Sequence, residues 1–151
     1  MSESQIVICE LKDESYGLDI SRVFEIIRLQ PITAVPQAPQ FVDGVINLRG
    51  RIIPIVDLAA RFGLPRSVGT KSSRIVVAST GETRVGLVVD GVSEVLMIPD
   101  ERIEAAPTAV ATSTDTSLLR GIVNLDDRLV MLLELDAILG GTAHLALVQA
   151  A

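Results

Sequence analysis

Residues 43–64 and residues 120–141 of this 151-residue chain say nearly the same thing, and that duplication limits the possible folds more than any other feature. The first stretch reads DGVINLRGRIIPIVDLAARFGL and the second RGIVNLDDRLVMLLELDAILGG. Without a gap, Gly44 falls on Gly121, Asn47 on Asn124, Leu48 on Leu125, Arg51 on Arg128, Leu58 on Leu135 and Gly63 on Gly140, an offset of 77 residues. Apolar positions match in kind, Val45 with Ile122 and Ile53 with Val130. Upstream, residues 16–27 (YGLDISRVFEII) echo residues 85–96 (VGLVVDGVSEVL) at an offset of 69, which pairs Gly17 with Gly86, Val23 with Val92 and Glu25 with Glu94. The difference of 8 between the offsets places one insertion in residues 105–117. Two half-length units in one order imply two similar subdomains.

The residues available for a core set its character. Hydrophobic residues make up 48% of the chain but aromatics only 3%, so Val, Ile, Leu and Ala must fill the interior. Val and Ile are β-branched and suit a pleated surface better than a helix. The apolar runs map accordingly. Residues 5–11 and 16–20 read as strands around a polar turn, as do 74–79 and 84–89 in the second unit. Residues 45–48 and 52–56 form a hairpin through Arg49-Gly50-Arg51, and 121–125 with 129–134 form its twin. Pro54 lacks an amide donor, which predicts an edge or a bulge there. Residues 57–62 predict a short helix closed by Gly63 and Pro65, and a second starts at Leu135. Residues 21–27 allow two readings: a short helix capped by Ser21, or an extended segment.

The repeat-related halves span about residues 5–65 and 74–141, joined by a Ser- and Gly-bearing linker at 66–73. Each half is about 70 residues or fewer, a size at which a lone core is marginal, so the two are expected to share one. Short strands, hairpin turns and little helix point to small barrels, and a seam between two barrels creates a groove with two different walls.

Catalytic and ligand motifs are sparse. The only histidine, His144, lies seven residues from the end, a poor place to align a general base. One Cys and one His cannot form a zinc tetrad, and Cys9 has no partner for an internal disulfide. GLPRSVGTKS at residues 63–72 fails as a phosphate loop, because Thr70 precedes Lys71 where Gly-Lys must be adjacent. Asp115-Thr116-Ser117 resembles the Asp-Thr-Gly of aspartic proteases, but Ser117 replaces the glycine and no second Asp-Thr stands at the matching position. A β hydrolase using Asp115 is therefore the alternative class. A barrel for single-stranded nucleic acid would need stacking aromatics and a basic groove. Only Tyr16, Phe24, Phe41 and Phe62 are available, against a net charge of −6. No apolar run reaches the ~18 residues of a membrane span, and residues 1–10 lack the basic and apolar pattern of a secretion signal.

Charged residues at turns beside apolar strands remain. Arg49 stands at a hairpin tip where the repeat has Asp126, so the tip is chemically opposite in the two halves. It is either a solvated turn residue or part of a binding surface. Glu25 and Glu94 sit at matched positions among apolar residues, either as solvating groups or as partners of a nearby Arg. Asp43, Asp57 and Asp90 fit turn and cap roles.

These motifs resemble the CheW family, the coupling proteins of bacterial chemotaxis and the related regulatory domain of the CheA kinase. The resemblance rests on residues 42–50 (VDGVINLRG) with 53–58 (IPIVDL), on residues 16–20 with Val23, Glu25 and Ile26, on residues 88–95 (VVDGVSEV), and on Leu119-Arg120-Gly121 leading to Asp127-Arg128-Leu129. It covers residues 6–139, and four ordered motifs at compatible spacing are specific. The resemblance implies a mainly β fold of two intertwined five-stranded SH3-like barrels in a single domain. It implies a cytoplasmic, non-catalytic adaptor without cofactor or metal, recruited to receptor arrays rather than inserted in the membrane. Its partners would be the cytoplasmic tip of methyl-accepting chemoreceptors and the regulatory domain of a CheA-type histidine kinase. Carried over by motif, Val23, Glu25, Gly44, Arg49 and Val95 would line the receptor groove, with Glu25 and Arg49 as a charged pair. Ile52 would lie on the kinase side. The expected member is the plain adaptor, neither the CheV type with a fused receiver domain nor the kinase.

Overall fold

The structure is a computed structural model that describes residues 2–38, 41–65, 69–80, 83–105 and 118–138. Its strands are β1 (Glu3–Leu11), β2 (Glu14–Asp19), β3 (Val23–Arg28), β4 (Val42–Leu48), β5 (Arg51–Asp57), β6 (Arg74–Thr80), β7 (Thr83–Val89), β8 (Gly91–Pro99), β9 (Ile103–Glu104), β10 (Leu119–Asn124) and β11 (Leu129–Leu133). Two four-residue helices, α1 (Leu58–Arg61) and α2 (Leu135–Ile138), follow β5 and β11.

The strands form two sheets, in the orders β3-β6-β7-β5-β4 and β8-β1-β2-β11-β10-β9. Neither sheet follows the chain. The opening hairpin of each repeat (β1–β2 or β6–β7) lies between strands of the other repeat. The registers are equivalent to the residue. Parallel β5 and β7 align Ile55 with Gly86, and parallel β11 and β2 align Leu132 with Gly17. A bulge falls between Val42 and Gly44 in β4 and between Leu119 and Gly121 in β10. The expectation of five strands per sheet holds for the first only. The chain entering residues 105–117 adds the two-residue β9 beside Ile122 and Val123, giving the second sheet a sixth strand.

Side-chain alternation along each strand produces three apolar clusters. One sheet encloses Ile46, Ile53, Ile55, Ile75, Val77 and Val88. The other encloses Ile6, Ile8, Ile98, Val123, Val130 and Leu132. Between the sheets lies a larger cluster that includes Val7, Cys9, Leu18, Val76, Ala78, Leu87, Leu58 and Leu135. Tyr16 and Phe62 stack within it at 5.3 Å between ring centroids. The shared core inferred from chain length is this seam. Cys9 lies there fully buried, and burial, followed by the charge of Glu10, pushes its thiol pKa up to about 12. It is an inert core residue.

The connections explain themselves locally. Asp57 caps α1 through the Ala60 amide at 3.3 Å. Gly63, at φ +78°, closes the helix by turning Gly63 and Leu64 amides back to the Ala60 and Ala59 carbonyls. Arg61 then donates to the carbonyls of Ile138 (2.7 Å) and Ala137 (3.1 Å), tying α1 to the end of α2. Of the two readings for residues 21–27, the extended one forms. Asp19 rather than Ser21 caps a single 3-10 turn at Ile20–Arg22, and β3 follows with strictly alternating burial. Pro54 is neither on an edge strand nor bulged, contrary to expectation. Val45 turns its own amide and carbonyl to Thr33 (2.8 and 2.9 Å), so its register partner Pro54 faces it at a position without ladder bonds. Pairing with β7 begins only at Ile55.

Glycines make the close contacts of the two repeats testable. A Cβ at Gly44 (φ +146°) would lie 2.0 Å from the Thr33 carbonyl oxygen, a backbone atom that cannot yield. At Gly86 it would meet Ile55 Cδ1 at 2.6 Å, and at Gly17 Ile6 Cγ2 at 2.5 Å, both side-chain rather than backbone atoms. Gly44→Ala is therefore expected to destabilise more than Gly17→Ala or Gly86→Ala, which should cost about 1–3 kcal/mol each as ordinary overpacking. Urea unfolding of the three variants checks the ranking, and equal losses would refute it.

Candidate docking site

Each repeat builds the same ion pair from different sequence positions. The bulge at Val23/Glu25 in β3 aims Glu25 toward the tip of the β4–β5 hairpin. That tip is a two-residue turn with Arg49 at φ +51° and Gly50 at φ +85°, the left-handed pair that matches strand twist. Asn47 accepts the Gly50 amide at 2.8 Å and fixes the turn. The Arg49 guanidinium donates directly to the Glu25 carboxylate. Glu25 is 23% exposed and Arg49 66%, so the pair sits at a rim with the cation outermost.

In the other sheet the equivalent bulge aims Glu94, and Arg128 donates to it at 2.5 Å. The hydrogen bond that Arg128 gives to Glu94 holds its proton more firmly and outweighs desolvation. The Arg128 Nε is buried without a hydrogen-bond partner. Arg128 is the repeat counterpart of Arg51, not of Arg49. The two acids thus take arginines from opposite flanks of equivalent turns. Asp126, the counterpart of Arg49, keeps the left-handed backbone (φ +62°) and has its amide held by Asn124 at 3.0 Å. Sequence reading missed Arg128 as a partner, although the Glu25–Glu94 match pointed to an arginine on both hairpins.

The expected site residues separate by role. Val23 opens β3 and packs half-buried against the seam. Gly44 is buried beneath Thr33, so its contribution is backbone fit rather than contact. Glu25 and Arg49 come together as the ion pair. Val95 is 47% exposed on β8, in the other sheet and next to Glu94. Ile52 is 45% exposed at the start of β5, beside the hairpin tip. Its repeat counterpart Leu129 and the Val95 counterpart Ile26 are exposed as well, so each sheet carries an apolar pair at the same place. Phe24 is exposed beside Glu25, with the Arg84 guanidinium 3.6 Å above its ring. Asp115 and His144, the residues of the hydrolytic alternative, lie outside the described residues. Among the described residues no cluster of His, Cys, Asp and Glu could hold a metal, and no helix is long and apolar enough to cross a membrane.

A polar cleft of about 300 Å³ lies where β2 and β11 end, lined in part by Asp19, Arg22, Arg120 and Glu134. Both of its arginines are paired, Arg120 with Asp19 at 3.6 Å and Arg22 with Asp136 at 2.8 Å. Burial pushes the Asp19 carboxyl up, but hydrogen bonds from the Ser21 amide and hydroxyl, with Arg120, bring it below its ordinary 3.8.

A chain with this pair of exchanged sheets matches the CheW-like domain over residues 5–142 and belongs to that family. The probable chemotaxis protein CheW of Rhizobium etli is 36% identical over 140 residues, covering 93% of this chain and 90% of that protein. The chemotaxis protein CheW of Rhizobium meliloti is 37% identical over 134 residues, covering 89% and 86%. The crystal structure of the scaffolding protein TtCheW from Thermoanaerobacter tengcongensis superposes with a TM-score of 0.83 at 38% identity, covering 91% of this chain and 88% of that one.

Two outcomes follow from the charges. A double-mutant cycle on Glu94→Gln and Arg128→Gln should give a coupling of about 0.2–1 kcal/mol, the range of exposed pairs; a larger value would mean the pair is a structural anchor. Because the folded Asp19 pKa is lowered, its contribution is present above the unfolded value of 3.8 and lost as pH falls through the folded one. Asp19→Asn should therefore flatten the acid limb of stability below pH 3.8, read by circular dichroism during acid titration. An unchanged limb would contradict the assignment.

Proposed function

We propose that this protein is a non-catalytic scaffold that couples the cytoplasmic tip of methyl-accepting chemoreceptors to the regulatory domain of a CheA-type histidine kinase. The observation that carries the reading is the Glu25–Arg49 pair. It stands at the rim of an exposed surface, on a rigid turn, beside Val23 and the exposed ring of Phe24, one face of which Arg84 covers. A guanidinium held in this way presents its face and its spare N–H groups to a helical partner while its charge is already matched. Val95 extends the receptor side onto the other sheet. Ile52, on the outer flank of the hairpin, serves the kinase, and Gly44 supports the site from beneath. The net charge of −6 and the scarcity of exposed aromatics favour protein partners over nucleic acid. Such a scaffold works in the cytoplasm and is brought to the membrane by its receptors.

The test is affinity for a receptor cytoplasmic fragment and for a CheA regulatory domain, measured side by side. Arg49→Ala should fold and bind receptor about thirtyfold more weakly, roughly 2 kcal/mol. Arg49→Lys should recover little of this, because a point charge lacks the planar fork. Kinase affinity should fall in Ile52→Glu and hold in both Arg49 variants. Receptor affinity unchanged in Arg49→Ala and Arg49→Lys would remove the pair from the site, and failure to bind either partner would overturn the scaffold reading.

A further inference from the structure

A second cavity, of about 450 Å³, opens where β3 ends and β6 begins, lined by Arg28, Leu29, Thr70, Lys71, Ser73 and Arg74. Among the described residues three cations and no carboxylate line it, in a chain whose net charge is −6. Arg28 and Arg74 are direct register partners across the two antiparallel strands, a placement that puts like charges opposite one another and destabilises the sheet. Among the described residues neither Arg28 nor Lys71 takes part in an ion pair. The cleft beneath β2 and β11 is different, because there each arginine has its own carboxylate.

The cationic wall is also held in place. Nη1 of Arg74 donates to the carbonyls of Lys71 (2.8 Å) and Ser73 (2.9 Å), which orients the guanidinium and leaves Nη2 and Nε free of those bonds. The turn behind it is tied by the Thr70 amide to Ser73 Oγ at 2.9 Å and the Ser72 amide to Thr70 Oγ1 at 3.2 Å. Gly69 approaches Leu29 so closely that a Cβ would lie 2.8 Å from Leu29 Cδ2, and this contact sets the apolar wall.

We propose that this cavity binds a phosphate group carried by a small organic ester or by a lipid headgroup. A carboxylate neutralises one of the three charges, whereas a phosphate dianion neutralises two and offers oxygens to both guanidinium forks. The volume falls within the roughly 300–1,000 Å³ of small-ligand pockets, so it accommodates an organic remainder against Leu29. Occupancy relieves the Arg28–Arg74 repulsion, so ligand binding stabilises the sheet. The site goes beyond the coupling function and shares no residue with the proposed docking surface.

The test uses the full chain at pH 8, where phosphate is a dianion. Thermal unfolding and calorimetric titration are run with inorganic phosphate and glycerol phosphate against chloride at matched ionic strength. Cosedimentation uses phosphatidylcholine vesicles containing phosphatidic acid, whose headgroup is a phosphomonoester, with phosphatidylcholine alone as control. Binding to soluble phosphates, about tenfold weaker in Arg28→Gln and in Lys71→Gln, supports the site with a soluble ester as ligand. Binding to phosphatidic acid vesicles alone, lost in the same variants, supports it with a headgroup as ligand. In chloride, Arg28→Gln should unfold at a higher temperature than the parent, because the opposed charge is gone. Arg102→Gln removes the same charge elsewhere and should leave phosphate binding unchanged. No binding to either source, or an equal loss in Arg102→Gln, overturns the proposal.

Discussion

The apolar seam between the two sheets is the constraint on which the rest of this molecule depends. Each sheet encloses only six fully enclosed Ile, Leu and Val side chains of its own. A larger cluster lies between the sheets and draws on both repeats. The opening hairpin of each repeat enters the other's sheet, so its two faces serve different cores. In β1, Ile6 and Ile8 point into one barrel while Val7 and Cys9 point into the seam, and in β6 Ile75 and Val77 do the same against Val76 and Ala78. A half of this size leaves too much apolar surface uncovered to stand alone. The exchange removes that problem by making each half complete the other. A core of aliphatic residues with one stacked Tyr16–Phe62 pair is sufficient because both faces of these strands are buried.

That arrangement determines where function can reside. Strands buried on both faces leave hairpin tips, bulges and the outer faces of β3 and β8 to meet a partner. The bulges at Glu25 and Glu94 turn an acid outward from an otherwise apolar strand, and the adjoining hairpin supplies the arginine. Both repeats keep the acid and the turn, but the arginine that answers the acid stands before the glycine in one, Arg49, and after the paired acids in the other, Arg128. The two sheets thus present similar scaffolds with different outermost groups, a cation at one tip and Asp126 at the other. Two similar but unequal faces are what a scaffold needs in order to hold different partners.

Much of this was legible from residue patterns. The 77-residue echo identified equivalent hairpins, and their matched registers and bulges follow from Gly44 and Gly121, where only a missing side chain lets the chain pass. Asp57 and Gly63 marked the start and end of α1 by ordinary capping chemistry. Other features were not legible. Residues 21–27 carry helical spacing, yet the edge of β6 offered them ladder bonds and they became β3. Pro54 was read as an edge signal because its missing donor was visible, whereas the reason it is harmless, Val45 bonding to Thr33, lies outside the local sequence.

The sequence by itself determined the strand content, the turn positions and the presence of two related units, because these arise from side-chain shape, backbone freedom and spacing within a few residues. Only the tertiary structure decided which hairpin joins which sheet, that Arg128 answers Glu94, and that Arg28 faces Arg74. Those are contacts between segments far apart in the chain. Their geometry is set by how two incomplete cores close against each other, a condition that no single stretch of residues carries.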